Sequence, residues 1–181
     1  MDWYKAKTVL IIALLITCLI LGGVLLLRNR AELKADKDAA DAVLEYLKNQ
    51  GVSVNCDLPL ERPSLPVLFV ELMSGNKDGE VLSEYKGLPV ESNLSGSVPV
   101  LSSEGDKKAK IRTAGSALLS ACTEGEGGVG VRSIKGLSIN SVKLVYYVGA
   151  QSEAVGAKDT AIPCWKIETD RGSYYINAYA L

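Results

Sequence analysis

An uncharged run of 20 residues, TVLIIALLITCLILGGVLLL from Thr8 to Leu27, constrains this chain more than any other stretch. As a helix rising 1.5 Å per residue it matches the ~30 Å hydrocarbon core of a bilayer. The sequence therefore predicts a short tail over 1–7 and a transmembrane helix over 8–27. A secretory signal peptide shares the basic start, Lys5 and Lys7, and the apolar core. This core is too long for one, however, and it ends in Leu25-Leu26-Leu27-Arg28-Asn29-Arg30 with no small-x-small cleavage site. A lipid-modified Cys18 fits no better, because nine apolar or glycine residues follow it where the chain should already be leaving the membrane. The expectation is an uncleaved signal-anchor in a cell membrane.

The flanking charges leave the orientation open. Lys5 and Lys7 precede the run, while Arg28, Arg30, Lys34 and Lys37 follow it, which read strictly tilts toward a cytoplasmic C-terminus. That bias weakens when a long domain follows the anchor. Roughly 150 residues do follow, enough for one ordinary domain or two very small modules sharing a core.

Beyond Arg30 the chain carries 20 acidic and 16 basic residues, a balance that excludes a nucleic-acid-binding surface. There is no histidine. That removes Ser-His-Asp and Cys-His nucleophile pairs and any His-based metal site, so the chain is not expected to be an enzyme or to carry a cofactor. Outside the apolar run Cys56, Cys122 and Cys164 lie far apart with no Cys-x-x-Cys spacing. Three thiols cannot all pair, and buried small hydrophobes is the better reading of them, with one disulfide left open.

The soluble part opens with a helix. AELKADKDAADAVLEYLKNQ, within a juxtamembrane stretch 28–50, is rich in helix formers, and Gly51 suits a left-handed C-terminal cap. Leu33, Ala40, Val43, Leu44 and Leu47 share one face. A first small sheet is expected over 51–90, with Val67 to Met73 as a strand and Gly79 to Tyr85 as its partner. Prolines at 59, 63 and 66 keep the preceding segment extended. Residues 91–106, with Ser, Gly and Pro throughout, read as a linker.

The order then repeats over 107–181. Lys107 to Cys122 has Ile111, Ala114, Leu118, Ala121 and Cys122 at helical spacing. Three strands follow, Ser138 to Val148, Ile162 to Asp170 and Ser173 to Tyr179, the last two joined through Arg171-Gly172. A helix laid on this meander would bury Trp165, Ile167, Tyr174 and Ile176. The fold class expected is α+β: a transmembrane helix followed by two small helix-plus-antiparallel-sheet halves, PepSY-like in outline.

Two local patterns invite chemistry and fail the test. The glycines from Gly125 to Gly130 follow a helix instead of opening one, carry Glu124 and Glu126, and lack the Lys and Ser/Thr of a phosphate loop. Glu168 and Asp170 lie two apart on one strand face, as an acid and base pair could. Lys166 shares that face, and a solvated strand surface explains all three.

The two ends of the chain carry a resemblance. Met1-Asp2-Trp3, followed by Lys5, Lys7 and a long apolar helix, resembles the start of YycI-type regulatory proteins of Gram-positive bacteria. Pro163-x-Trp165-x-Ile167-x-Thr169 followed by Tyr174-Tyr175-Ile176-Asn177-Ala178 is similar to the closing hairpin of the same YycH/YycI group. The resemblance covers about 45 residues at the termini, and the chain is shorter than a usual member. It implies a single-pass protein with its N-terminus in the cytoplasm and its domain extracellular. It implies a partner as well, a membrane sensor histidine kinase of cell-wall homeostasis, with a YycH-like protein beside it and the lipid bilayer around the anchor.

Two working surfaces are expected. Ala13, Thr17, Cys18 and Gly22 would form a small-residue strip along the span, suited to packing against a kinase helix. Alternatively, in a PepSY-like ligand-binding or protease-restraining module, Trp165, Tyr174, Tyr175 and Tyr179 would receive a peptide or cell-wall fragment, though such residues are more often cross-strand partners.

Overall fold

A computed structural model describes residues 3–74, 83–93, 97–123, 135–149 and 157–179. The Gly-rich stretch at 125–130, Met1 and Asp2, and residues 79–82 of one expected strand lie outside them. The chain divides into two units, Met1–Ala39 and Ala40–Leu181, with the division inside one helix, α1, Trp3–Asn49.

In the first unit α1 is apolar all round and uncovered from Leu10 to Leu27. Every Leu, Ile and Val from Leu10 to Leu27 is exposed, from 51% at Ile12 to 75% at Leu19. A helix of that surface needs protein or lipid around it, and it is the one helix among the described residues long and apolar enough to cross a membrane.

The second unit begins where α1 acquires a buried stripe. Ala40 and Leu47 are buried and Val43 packs against the same cluster, as the helical spacing predicts; Leu33, in the first unit, is exposed. Gly51 ends the helix at φ 82°. The Gly51 N–H donates to Lys48 O at 3.0 Å and the Val52 N–H to Leu47 O at 3.0 Å, the paired bonds of a Schellman cap. Val52 and Leu47 are both buried beside the cap.

The strands are β1 Ser53–Val54, β2 Ser64–Ser74, β3 Glu84–Tyr85, β4 Leu88–Ser92, β5 Ser97–Lys110, β6 Ser138–Val148, β7 Lys158–Thr169 and β8 Gly172–Asn177. They form one sheet in the order β3-β4-β6-β7-β2-β5, with β1 also on β6 and β8 also on β7. Most pairings are antiparallel; β1 and β4 run parallel to β6. The fold is therefore α+β, but the described strands do not separate into two sheets. The reason is β2, which pairs with β5 on one edge and with Leu68↔Ala161 to Glu71↔Lys158 of β7 on the other. Its expected partner is displaced as well: Glu84–Tyr85 pairs with β4.

Residues 97–106, expected within a linker, are strand, and Lys107 to Lys110, expected to begin a helix, continue it. β5 is an edge strand, so its polar composition carries no burial cost. Lys107, Lys108, Lys110 and Pro99 are residues that protect an edge from further pairing. Because the Leu72 N–H turns away from β5 to Ala157 O, its partner Pro99 turns its missing donor to the open edge. At Gly105 a Cβ would stand 2.8 Å from Val67 O, next to the register shift between Pro66 and Leu68. That bulge also accommodates Pro66 within an interior strand.

The second helix, α2, is Ala114–Thr123. It starts late because Thr113 supplies the cap, its Oγ1 accepting the Ser116 N–H at 3.1 Å, and because residues 108–110 pair with β2. Ala114, Ala117, Leu118 and Ala121 then bury with Trp165, Ile167, Ile139 and Val142 in the main core. A second cluster, Leu68, Val70, Leu72, Tyr146, Val148 and Ala161, lies inside the curl of the sheet, with Tyr85, Leu88 and Val90 packed on it.

Candidate functional site

The expected strip on the span does not form one face. At 3.6 residues per turn Ala13 and Thr17 lie about 40° apart, and so do Cys18 and Gly22, but the two pairs are about 140° from each other. All four are exposed. The Thr17 hydroxyl donates to Ala13 O at 2.9 Å, so its polar group is satisfied within its own helix. A Cβ at Gly22 would meet nothing within 4 Å, leaving open backbone on the Cys18–Gly22 side.

The hairpin residues serve the fold. Trp165 is buried beneath α2 and its Nε1 donates to Arg112 O at 3.1 Å. Ile167 is buried with it, and Pro163 is buried nearby with its carbonyl accepting the Ala178 N–H. The Ala178 carbonyl in turn takes the Arg112 N–H. Asn177 Oδ1 accepts the Tyr179 N–H at 2.9 Å. Thr169 Oγ1 donates to Gly172 O at 2.9 Å across the two-residue turn, where Gly172 has φ 133°. These contacts give the closing hairpin's residues structural roles.

The expected aromatic surface is divided between environments. Trp165 and Tyr174 pack into the main core, Tyr179 donates its hydroxyl to Leu65 O, and Tyr175 stands on the opposite side of β8. The cross-strand reading is the correct one, and no common surface exists to receive a peptide on these four residues.

On Tyr175's side of the sheet a polar cluster has formed. Tyr175 stacks on Tyr147 of β6, ring centroids 4.1 Å apart and 19° from parallel. The ring pair reaches from β6 to β8 across β7 at Cys164, which pairs with Val145 on one edge and Asn177 on the other. Cys164 is buried, and that burial pushes its thiol up to about 12. Glu91 of β4 joins the rings to the charges: its Oε1 accepts from Lys166 Nζ at 2.9 Å and its Oε2 from Tyr175 OH at 2.5 Å. Lys166 also lies 3.1 Å from Glu168 and is only 17% exposed.

Chemically this is a clamp. The Glu91 carboxylate, with Glu168 beside it, holds Lys166 above the usual ammonium range against the opposing effect of burial, so it stays charged and makes a poor nucleophile. Burial, then Glu91, pushes Tyr175 up to about 12. Glu168 is held below the usual carboxylate range first by Lys166. Asp170 does not join Glu168; its Oδ1 accepts the Ser138 N–H at 3.1 Å and fixes the turn. All four cysteines are free thiols. Among the described residues no three carboxylate or thiol side chains converge as a metal site requires. Sequence reasoning missed Glu91, assigned to the linker, although Leu88-Pro89-Val90-Glu91 alternates as a strand does.

No family model matches this sequence, and no curated protein matches it.

Proposed function

We propose that this chain is a single-pass membrane protein that works by binding, with its N-terminus in the cytoplasm and its α+β domain outside the cell. In that reading it modulates a membrane sensor histidine kinase of cell-wall homeostasis, in the manner of the YycH/YycI group it resembles. The observation that carries the reading is the uncovered apolar surface of α1 from Leu10 to Leu27, which needs lipid or another membrane helix around it. The clamp on the sheet supports binding over catalysis, because its donors and acceptors engage one another. The PepSY-like likeness rests on α2 lying over the β6–β8 meander, and the roles of the hairpin residues are consistent with the family's closing motif.

The test is reconstitution of the full chain with the sensor kinase of such a two-component system in one nanodisc, followed by autophosphorylation. A several-fold change in kinase rate that is lost when residues 8–27 are exchanged for an unrelated span supports the reading. An unchanged rate removes it. A phosphatase fusion at the C-terminus checks the side: activity in intact cells places the domain outside.

A further inference from the structure

We infer that Arg30, Lys34 and Lys37 form a one-sided seat on α1 for the phosphate headgroups of anionic phospholipids in the leaflet where the span ends. The inference rests on reading 8–27 as a span. The three residues stand at i, i+4 and i+7, within about 60° of one another around the helix. All are exposed, and among the described residues no hydrogen bond or ion pair engages them. Arg28, on the opposite side, is already committed: its Nε lies 3.2 Å from Glu32 Oε1. Position and sign are thus separated, with free positive charge on one side only.

Geometry directs that charge at the headgroups. Arg30 is roughly 4.5 Å and Lys34 roughly 10 Å beyond Leu27 along the axis at 1.5 Å per residue. Helix side chains lean toward the N-terminus, here toward the hydrocarbon, so the long stems bring their charges into the headgroup layer. Lys37, roughly 15 Å out, reaches it when α1 tilts toward this side, within the ordinary range of tilt. Asp38 and Asp41, next along the sequence on this side, mark its outer limit. The seat therefore sets the direction of tilt as well as lipid preference. Each basic residue near an anionic surface contributes about fivefold in affinity, on the order of 100-fold for three.

The experiment places the full chain in nanodiscs of phosphatidylcholine alone or with one quarter phosphatidylglycerol, and follows tryptic cleavage after Arg30, Lys34 and Lys37 by mass spectrometry. Cleavage at least roughly tenfold slower in the anionic discs, restored by about 0.5 M salt, with the site after Lys48 unchanged, is the expected result. Equal rates in both discs overturn the seat. Equal protection in phosphatidylcholine discs by free inorganic phosphate overturns the lipid as its occupant. A chain that fails to enter the discs overturns the reading of the span itself, a separate outcome. Native mass spectrometry of a variant carrying Arg30→Gln, Lys34→Gln and Lys37→Gln gives a second readout: co-purified phosphatidylglycerol falls at least several-fold, while Arg28→Gln leaves it unchanged. Equal retention by both variants overturns the seat.

Discussion

Lys86 Nζ lies 3.2 Å from Glu104 Oε1, although Lys86 turns the β3–β4 hairpin and Glu104 belongs to β5, at opposite ends of the strand order. The sheet must curl for them to meet, and Tyr146 sits inside the curl. Its hydroxyl donates to Pro66 O at 3.0 Å and its ring meets Tyr85 edge-on at 5.5 Å. The ion pair is half exposed, and exposed pairs contribute little. The apolar cluster and the Tyr146 hydrogen bond hold the curl. Glu104→Gln should therefore leave the urea midpoint unchanged. Tyr146→Phe should lower stability by about 1–3 kcal/mol, because a buried carbonyl loses its donor.

The same hairpin predicts an asymmetry at its turn. Lys86 and Gly87 both have positive φ, 50° and 82°, in a two-residue connection between Tyr85 and Leu88. That is the primed geometry in which Asn-Gly is preferred. Gly87→Ala should cost about 1–2 kcal/mol, since an L side chain enters the left-handed region there. Lys86→Asn should raise the thermal midpoint or leave it unchanged, even though it removes the contact with Glu104. A fall as large as that of Gly87→Ala would show that the turn is held by the lysine's side chain and not by its backbone.

Alkali should loosen the clamp on the sheet. Tyr175 is pushed up to about 12, and Lys166 is held above its usual range, so both keep their protons in the folded chain after the unfolded chain has begun to lose them. Groups raised in this way stabilise fully below the unfolded pKa, near 10, and that contribution is lost as pH rises through the folded one. Urea midpoints should hold from pH 7 to 9 and then fall steadily toward pH 12. Tyr175→Phe should flatten part of that slope while lowering stability at pH 7. A slope unchanged by this substitution would assign the alkaline loss elsewhere, with Cys164, also raised to about 12, the next group to examine.

The ring pair should also act as a cover. Cys164 lies beneath Tyr147 and Tyr175, whereas Cys56 is partly exposed. In the native chain a maleimide should label Cys56 at least roughly tenfold faster than Cys164, the thiolate of which is further suppressed by burial. Tyr175→Ala should raise the Cys164 rate toward that of Cys56. Equal rates in the parent chain would mean that the rings do not seal β7.

The readable parts of this fold were those with one strong period. The apolar run, the stripe from Ala40 to Leu47 with its Gly51 cap, and the β6–β8 meander announce themselves through burial on one face or all faces. β5 did not, because an edge strand exposed along most of its length has no apolar alternation to display. Lys107 to Lys110 favour helix locally, but pairing from Ser64↔Lys110 to Pro66↔Lys108 overrides that preference. The clamp was the least legible element. Glu91 meets Lys166 and Tyr175 across 75 and 84 residues, and only the parallel pairing of β4 with β6 brings them together.

The division of the small residues on the span yields a sharper test of the proposed kinase contact than a single strip would. Ala13 and Thr17 share one side, and Cys18 and Gly22 another about 140° away, so one straight partner helix can engage only one pair. Thr17 has already given its hydroxyl to Ala13 O, while Gly22 leaves backbone open for close approach, so the Cys18–Gly22 side is the better contact. Replacing Cys18 and Gly22 together by Leu should leave the chain resistant to carbonate extraction yet change the output of the co-reconstituted kinase several-fold. Replacing Ala13 and Thr17 by Leu should leave both unchanged. If the two double variants behave alike, the contact does not run along this face of α1.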